Sequence, residues 1–300
     1  MSESAPAENR RLLPSLFLHL ELLCVVAIWA GTFVSTKIVL TELPPALSAL
    51  YRYVIASAIL IVIDWRNTER PARKDYPLLA FLGATGVTLY YLLQHYGIRY
   101  TNATDAAILI SLSPIFIGII SWQLLGEKLK AAGITGLILS FVGCLLVITG
   151  GHPAAVSFDE RFLGNVLILL TAIAWAFYSV YGKKLLRFYS TTTIIKYTTV
   201  SGTIFLIPFT IGEFNSHSIF SVSWNVFFHL LYLGGLASVY GYLAWYRGLS
   251  KLPAVTVGSY LYFRPLLTGI IAALVLQEQI SLAIILGGVL IIAGTYLTTK

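Results

Sequence analysis

The chain is a succession of apolar runs, each about 20 residues long, separated by short polar connections. They fall at roughly 16–38, 45–64, 76–98, 103–125, 129–149, 163–186, 191–212, 224–247, 254–276 and 281–299. Twenty residues of α-helix rise about 30 Å, the hydrocarbon thickness of a bilayer. Where water does not reach the backbone, every peptide group must be satisfied internally, so only helices and closed barrels cross. Barrel strands would alternate in hydropathy over about ten residues, and these runs do not. The pattern predicts an all-α integral membrane protein with ten transmembrane helices. Composition agrees: 57% of residues are apolar and 11% charged, against about 25% charged in an average soluble domain.

The polar segment 1–13 is expected to be a disordered cytoplasmic tail. The first apolar run is followed by no small-x-small cleavage site with a polar start, so it reads as helix 1 of the mature protein. The longest connections, near 65–75 and 150–162, leave no room for a soluble domain. The net charge of +7 does not point to nucleic acid, because Lys and Arg sit in short connections rather than on one face. With the N-terminus inside, the inner segments hold Arg10, Arg66, Arg73, Lys130, Lys183, Arg247 and other basic residues, while the outer loops hold Arg99 and Arg161. Both termini are therefore expected in the cytoplasm, with the chain in a bacterial inner membrane. Cys24 and Cys144 lie within apolar runs without CxxC or His-rich context, and read as small packing residues rather than as a disulfide or metal site.

A repeat divides the chain. "SPIFIGIISWQLLGEKL" (113–129) aligns without gaps on "RPLLTGIIAALVLQEQI" (264–280), at an offset of 151. The same offset pairs Gly97 with Gly248, Gly136 with Gly287 and Gly143 with Gly294. Earlier in each half, Trp29 aligns with Trp175, Lys37 with Lys183 and, after a small gap, Arg52 with Lys196. The expected units are 14–150 and 151–300, each of five helices. Five is odd, so the second copy enters the membrane from the opposite side. That makes an inverted repeat, an architecture of secondary transporters with substrate near the midplane.

"IWAGTFVSTKIVL", "LPPALSALYRYVIA", "LYYLLQHYGIRYTNATDAAILISLSPIF", "LLGEKL" and "YLGGLASVYGYLAWYRGLSKLPA" resemble, in order and spacing, the EamA-type members of the drug/metabolite transporter superfamily. Within it the chain is most similar to aromatic amino acid exporters of the YddG type. The resemblance implies an inner-membrane exporter of small organic metabolites, with aromatic or apolar amino acids foremost and other metabolites or cationic drugs as the alternative cargo. It implies alternating access, no cofactor, and a monomer in the lipid bilayer. Family members often carry glutamate before the proline of helix 9, where this chain has Arg264.

Several residues fall where a membrane protein does not place them idly. Arg264 lies mid-span, where a charge costs about 2.5–3.5 kcal/mol on insertion scales. It reads either as the contact for a substrate carboxylate or as a structural arginine satisfying carbonyls. Pro114 and Pro265, equivalent in the repeat, each leave a carbonyl four residues back without its amide donor, and are candidate hinges. Trp29, Tyr90, Gln94, Trp175, Tyr178, Tyr242 and Tyr260 are candidate cavity-lining residues, with Ser111 and Ser113 beside them. Trp65, Trp224 and Tyr246 suit an interfacial belt. Arg52, Glu127 and Glu278 are assigned structural roles, the two acids near the N-termini of the helices that follow them. Glu21 reads either as an acid reaching the inner interface or as the carrier of a coupling proton, though no acid occupies the midplane. The chain has no GxxxxGK[ST] for ATP, and no HExxH, GxSxG or paired intramembrane aspartates for an intramembrane enzyme. An enzyme and a channel remain as weaker rivals.

Overall fold

The computed structural model describes residues 7–100, 109–110, 112–127, 130–149, 162–214, 222–264, 266–267, 270–271 and 282–298. Among these the chain is helical between short turns, with no strand. The expected sites Ser111, Pro265 and Glu278 lie outside the described residues, as do parts of the expected spans 103–125 and 254–276. Helix α1 (Ala7–Val39) begins inside the segment expected to be a disordered tail. Ala7, Glu8, Arg10, Arg11, Leu12 and Leu13 are all good helix formers, and the helix continues through Pro14 although that residue offers no amide to the carbonyl four residues back.

Helix α2 (Pro45–Ile63) follows. The third rod is α3 (Tyr76–Gly83), a π-helical segment at Ala84–Leu89, and α4 (Tyr90–Tyr100). Then come α5 (Ser113–Leu125), α6 (Ala131–Thr149), α7 (Phe162–Leu185) and α8 (Thr191–Thr210). Next are α9 (Trp224–Leu231), a second π-helical segment at Tyr232–Tyr240, and α10 (Gly241–Lys251). Helix α11 (Ala254–Ser259) tightens to a 3₁₀ turn at Tyr260–Tyr262, and α12 (Leu282–Thr298) is the last described helix. Among the described residues, Pro45–Ile63, Arg73–Gly97, Val166–Leu185 and Trp224–Lys251 are long and apolar enough to cross a bilayer, and Leu16–Thr32, Ser113–Leu125, Ala131–Gly143 and Ile285–Thr298 are shorter apolar helices.

Carboxylates from distant connections tie down helix N-termini, where unpaired amides and the helix dipole favour an anion. Glu213 accepts from the Leu47 amide of α2 at 2.8 Å. Glu69 accepts from the Ser190 hydroxyl at 2.6 Å, and Ser190 is the N-cap of α8. Glu42 accepts from the Ser223 amide at 2.7 Å and hydroxyl at 2.6 Å, at the N-cap of α9. Glu127 accepts from the Ala254 amide at 2.7 Å and pairs with Lys183 at 2.6 Å. Its helix-terminal role therefore falls on α11, not on the helix that follows it in sequence.

Helices α6 and α12 cross at glycines. A Cβ on Gly136 would lie 2.5 Å from the Gly294 carbonyl oxygen, and one on Gly143 would lie 2.6 Å from that of Gly287. The backbones touch there, as small residues permit in membrane helix pairs. Between them the Ser140 hydroxyl donates to the Ile291 carbonyl at 3.4 Å. Gly126, in the left-handed region at φ 66°, ends α5 where a Cβ would be strained. Outward-facing positions are largely apolar: Ile63, Trp122, Phe209, Phe228 and Val289 are all exposed. Cys24 is exposed as well, which corrects its assignment as a packing residue. A lipid-facing position and a core position are equally apolar, so a small apolar residue does not declare its side.

Candidate functional site

Most of the largest buried aromatic side chains, Trp245, Tyr53, Tyr178, Tyr242 and Tyr246, gather in one aromatic chamber built from α1, α2, the third rod, α7 and α10. Trp29 meets the Trp175 ring edge-on at 5.3 Å, and both rings contact Trp245, at 5.4 and 5.5 Å. Tyr242 stands against Trp29, Trp175 and Tyr178 at 6.0, 5.5 and 5.5 Å. Tyr90 packs on Trp175 at 5.4 Å and on Tyr91 at 4.8 Å, and Tyr91 on Tyr53 at 5.0 Å. These spacings lie in the range where edge and offset contacts between rings are favourable.

Glycine and π-helix let the rings pack closely. Gly86 lies in the first π-helical segment, and a Cβ there would overlap the Tyr178 ring at 2.1 Å. The other π-helical segment runs into α10, which carries Tyr242 and Trp245. The offset of 151 places Ala84–Leu89 onto residues 235–240, so both π-helical segments fall at aligned positions. Such bulges turn the following side chains out of the regular helical register, and are frequent at functional sites.

Polar tips are mostly satisfied. Trp29 Nε1 donates to the Ala237 carbonyl at 2.9 Å, and Trp245 Nε1 to Ser179 Oγ at 3.2 Å. The Tyr53 hydroxyl donates to that of Tyr242 at 3.0 Å, and Tyr242 donates to the Gly86 carbonyl at 3.3 Å. Trp175 Nε1 is buried without a hydrogen-bond partner among the described residues. A buried donor left unmade is costly, so this N–H is suited to an acceptor carried by a bound molecule.

Of the residues singled out in the sequence, Trp29, Tyr90, Trp175, Tyr178 and Tyr242 come together in the chamber. Gln94 joins through Tyr90, donating to its hydroxyl at 3.3 Å. Arg264 reaches the Thr32 hydroxyl at 3.3 Å and interacts with the Tyr90 hydroxyl. Tyr260 hydrogen-bonds and stacks on His19 and stacks on Phe263. Ser113 is turned to its own backbone, its hydroxyl donating to the Ile110 carbonyl at 2.6 Å. That is the carbonyl Pro114 deprives of an amide donor. Pro114 itself sits in the first turn of α5, where proline is tolerated.

Tyr246, expected in the interfacial belt, is buried and donates to the Tyr178 carbonyl at 2.9 Å. Trp65 and Trp224 are exposed, as belt residues would be. Tyr53, Tyr91 and Trp245 are chamber residues the sequence analysis did not select. The alignment held a signal for one of them, since it pairs Tyr91 with Tyr242. Glu21 is buried and ion-paired with Arg247, whose Nε lies 3.1 and 3.3 Å from its carboxylate oxygens.

The model of the EamA-like transporter family matches this chain twice, over residues 16–149 and 162–300. A chain from Archaeoglobus fulgidus named an uncharacterized transporter is 36% identical over 283 residues, covering 94% of this chain and 96% of that one. The uncharacterized transporter YetK of Bacillus subtilis is 27% identical, covering 93% and 86%. A probable terminal-alkyne amino-acid exporter of Streptantibioticus cattleyicolor is 27% identical, covering 93% and 92%. A solved crystal structure superposes with a TM-score of 0.78 at 18% identity, over 94% of this chain and 96% of that one; at that identity the likeness concerns the fold alone.

Proposed function

The chain belongs to the EamA-like transporter family, and from that membership we propose that it is a secondary transporter of the bacterial inner membrane, exporting amino acids with aromatic or apolar side chains. The observation that carries the proposal is the buried aromatic chamber around Trp29, Trp175 and Tyr242, with the unpartnered Trp175 N–H on its wall and Arg264 at Tyr90. Ring faces suit an aromatic or apolar side chain, and also an ammonium group through cation–π contact. The Arg264 guanidinium suits a carboxylate. The name of one relative as an amino-acid exporter supports this cargo class.

Alternating access between two inverted repeats belongs to the same proposal. The double family match supports two homologous halves, each of about half the chain. Aligned residues that touch one another support a two-fold axis between them. Ser140 contacts Ile291, its counterpart at the offset of 151, and Gly136 and Gly143 contact Gly294 and Gly287 in exchanged order. Exchange of this kind is what an isologous contact requires. Exchanging the conformations of the two halves would then turn a chamber open to one side into one open to the other.

Purified protein in proteoliposomes, supplied with radiolabelled amino acids, tests the proposal. Uptake is expected to saturate, and phenylalanine, tyrosine, tryptophan and leucine are expected to compete with one another. If no amino acid exceeds empty liposomes, the cargo assignment fails. If carboxylate cargo is carried equally well by Arg264→Lys and Arg264→Gln, the arginine does not hold the carboxylate.

A further inference from the structure

We propose that Arg52 is a second anion-binding group of the chamber, holding a negatively charged group of the transported molecule. The inference rests on the transporter reading and narrows its cargo: an aromatic carboxylate should be preferred to a zwitterion, and a zwitterion to an amine. Arg52 lies seven residues into α2, about 10 Å from its Pro45 end at 1.5 Å per residue. It is 3% exposed. Its guanidinium carbon stands 4.5 Å from the centroid of Tyr91 and 5.7 Å from that of Tyr53. Its Nε donates to Ser238 Oγ at 2.8 Å.

A guanidinium has five N–H donors, and among the described residues this bond to Ser238 is the hydrogen bond it makes. The groups placed against its guanidinium are the rings of Tyr91 and Tyr53 and the Ser238 hydroxyl. None of these is a carboxylate. Ring faces offset part of the cost of burying a cation, but a buried charge is ordinarily neutralised by an opposite one.

The repeat shows what such a neutralisation looks like in this chain. Arg52 aligns with Lys196, and Lys196 is ion-paired with Asp64. The same offset carries Asp64 onto Pro208, inside α8. One cation of the aligned pair is therefore met by a protein carboxylate. The other is met by the rings that wall the chamber. Arg264 acts on Tyr90, whose ring lies 4.8 Å from that of Tyr91. Two guanidinium groups thus converge on adjacent rings, and an anion entering the chamber gains from both.

The bland alternative is a structural arginine that fastens α2 to the second π-helical segment through Ser238. The two differ in their dependence on ligand charge. Full-length protein in nanodiscs is titrated with 3-phenylpropionate, phenylalanine and 2-phenylethylamine, which share a ring and differ in charge. Quenching of tryptophan fluorescence is the readout, since Trp29, Trp175 and Trp245 wall the chamber. Wild type is expected to bind the acid most tightly and the amine most weakly. Arg52→Gln is expected to weaken 3-phenylpropionate by about tenfold or more, the scale of one lost charge-assisted contact, and to leave 2-phenylethylamine unchanged or tighter. Arg52→Lys should restore much of the acid binding. Ser238→Asp, which gives Arg52 a carboxylate in place, should mimic Arg52→Gln even if the latter does not fold.

A wild type that binds the amine as tightly as the acid overturns the proposal. So does equal weakening of all three probes by Arg52→Gln and by Ser238→Asp. Proteoliposome uptake reads the transporter assignment separately. Charge-ranked binding with no uptake of any probe sinks transport and leaves the role of Arg52 standing. Uptake that is indifferent to both substitutions sinks the role of Arg52 alone.

Discussion

The hydroxyls of Tyr91 and Tyr242 approach to 3.4 Å inside the aromatic chamber, and the two residues are aligned with one another at the offset of 151. A residue that touches its own counterpart lies where an axis relating the halves would pass. The hydroxyls are not equivalent in their duties, however. Tyr242 also receives the Tyr53 hydroxyl proton at 3.0 Å and donates to the Gly86 carbonyl at 3.3 Å, whereas Tyr91 contributes its ring to the Arg52 guanidinium.

That inequality gives the first expectation. Tyr242→Phe removes contacts to three buried partners, Tyr53, Gly86 and Tyr91, and should cost about 1–3 kcal/mol, while Tyr91→Phe loses a single long contact and should cost about 0.5 kcal/mol. Reversible unfolding in mixed micelles measures both. Equal costs would show that the network is not centred on Tyr242.

How much of this was visible in the sequence depends on what lipid hides. Helices were legible because about 20 apolar residues are needed to cross a bilayer and the chain supplies such runs repeatedly. The aromatic chamber was legible in part, because mid-depth Trp29, Trp175 and Tyr178 do not suit an interfacial belt. Tyr246 was misjudged for a physical reason: an apolar surround on both sides of a helix removes the contrast that marks the inner face of a soluble protein. The π-helical segments add to this by turning the residues after Leu89 and Tyr240 away from the regular 3.6 period. Contacts such as Glu213 with the Leu47 amide leave no local pattern, since one carboxylate in a polar connection fits many partners.

Gly136 and Gly294 are expected to be intolerant of alanine. An added Cβ would meet a backbone oxygen at 2.5 Å from either side, and backbone does not yield as a flexible side chain does. Overpacking of this kind costs about 1–3 kcal/mol. Gly133, in the same helix α6, has nothing within 4 Å of its virtual Cβ, so Gly133→Ala should be neutral or stabilising by up to about 1 kcal/mol. Thermal melts of the three variants decide. Equal loss at Gly133 would mean that the α6–α12 crossing is not the cause.

The carboxylate of Glu42 makes stability depend on acidity at the α9 N-terminus. The Ser223 hydroxyl and amide hold it below its ordinary value of 4.5. A depressed folded-state pKa stabilises fully above the unfolded value, and the contribution is lost as pH falls through the folded one. Glu42→Gln should therefore melt below wild type at pH 7, with the gap narrowing as pH drops beneath about 4.5. A gap that is constant from pH 7 to pH 3.5 would mean the carboxylate charge plays no part in the cap.

The Glu21–Arg247 pair should respond unequally to loss of its two members. The Glu21 side chain is 7% exposed and that of Arg247 is 44% exposed. Removing the arginine strands a carboxylate that water scarcely reaches. Removing the acid leaves a guanidinium that can hydrate and still lies 6.0 Å from the Tyr240 ring. A fully buried pair costs about 3–5 kcal/mol when broken, and solvent at Arg247 screens part of that. Arg247→Gln is therefore expected to cost about 1–3 kcal/mol and Glu21→Gln less than about 1 kcal/mol. The double variant should recover most of the loss, because it removes the stranded charge as well as its partner. Unfolding free energies of the two single variants and the double variant test this. A double variant no better than Arg247→Gln would mean that the arginine acts through packing rather than by neutralising Glu21.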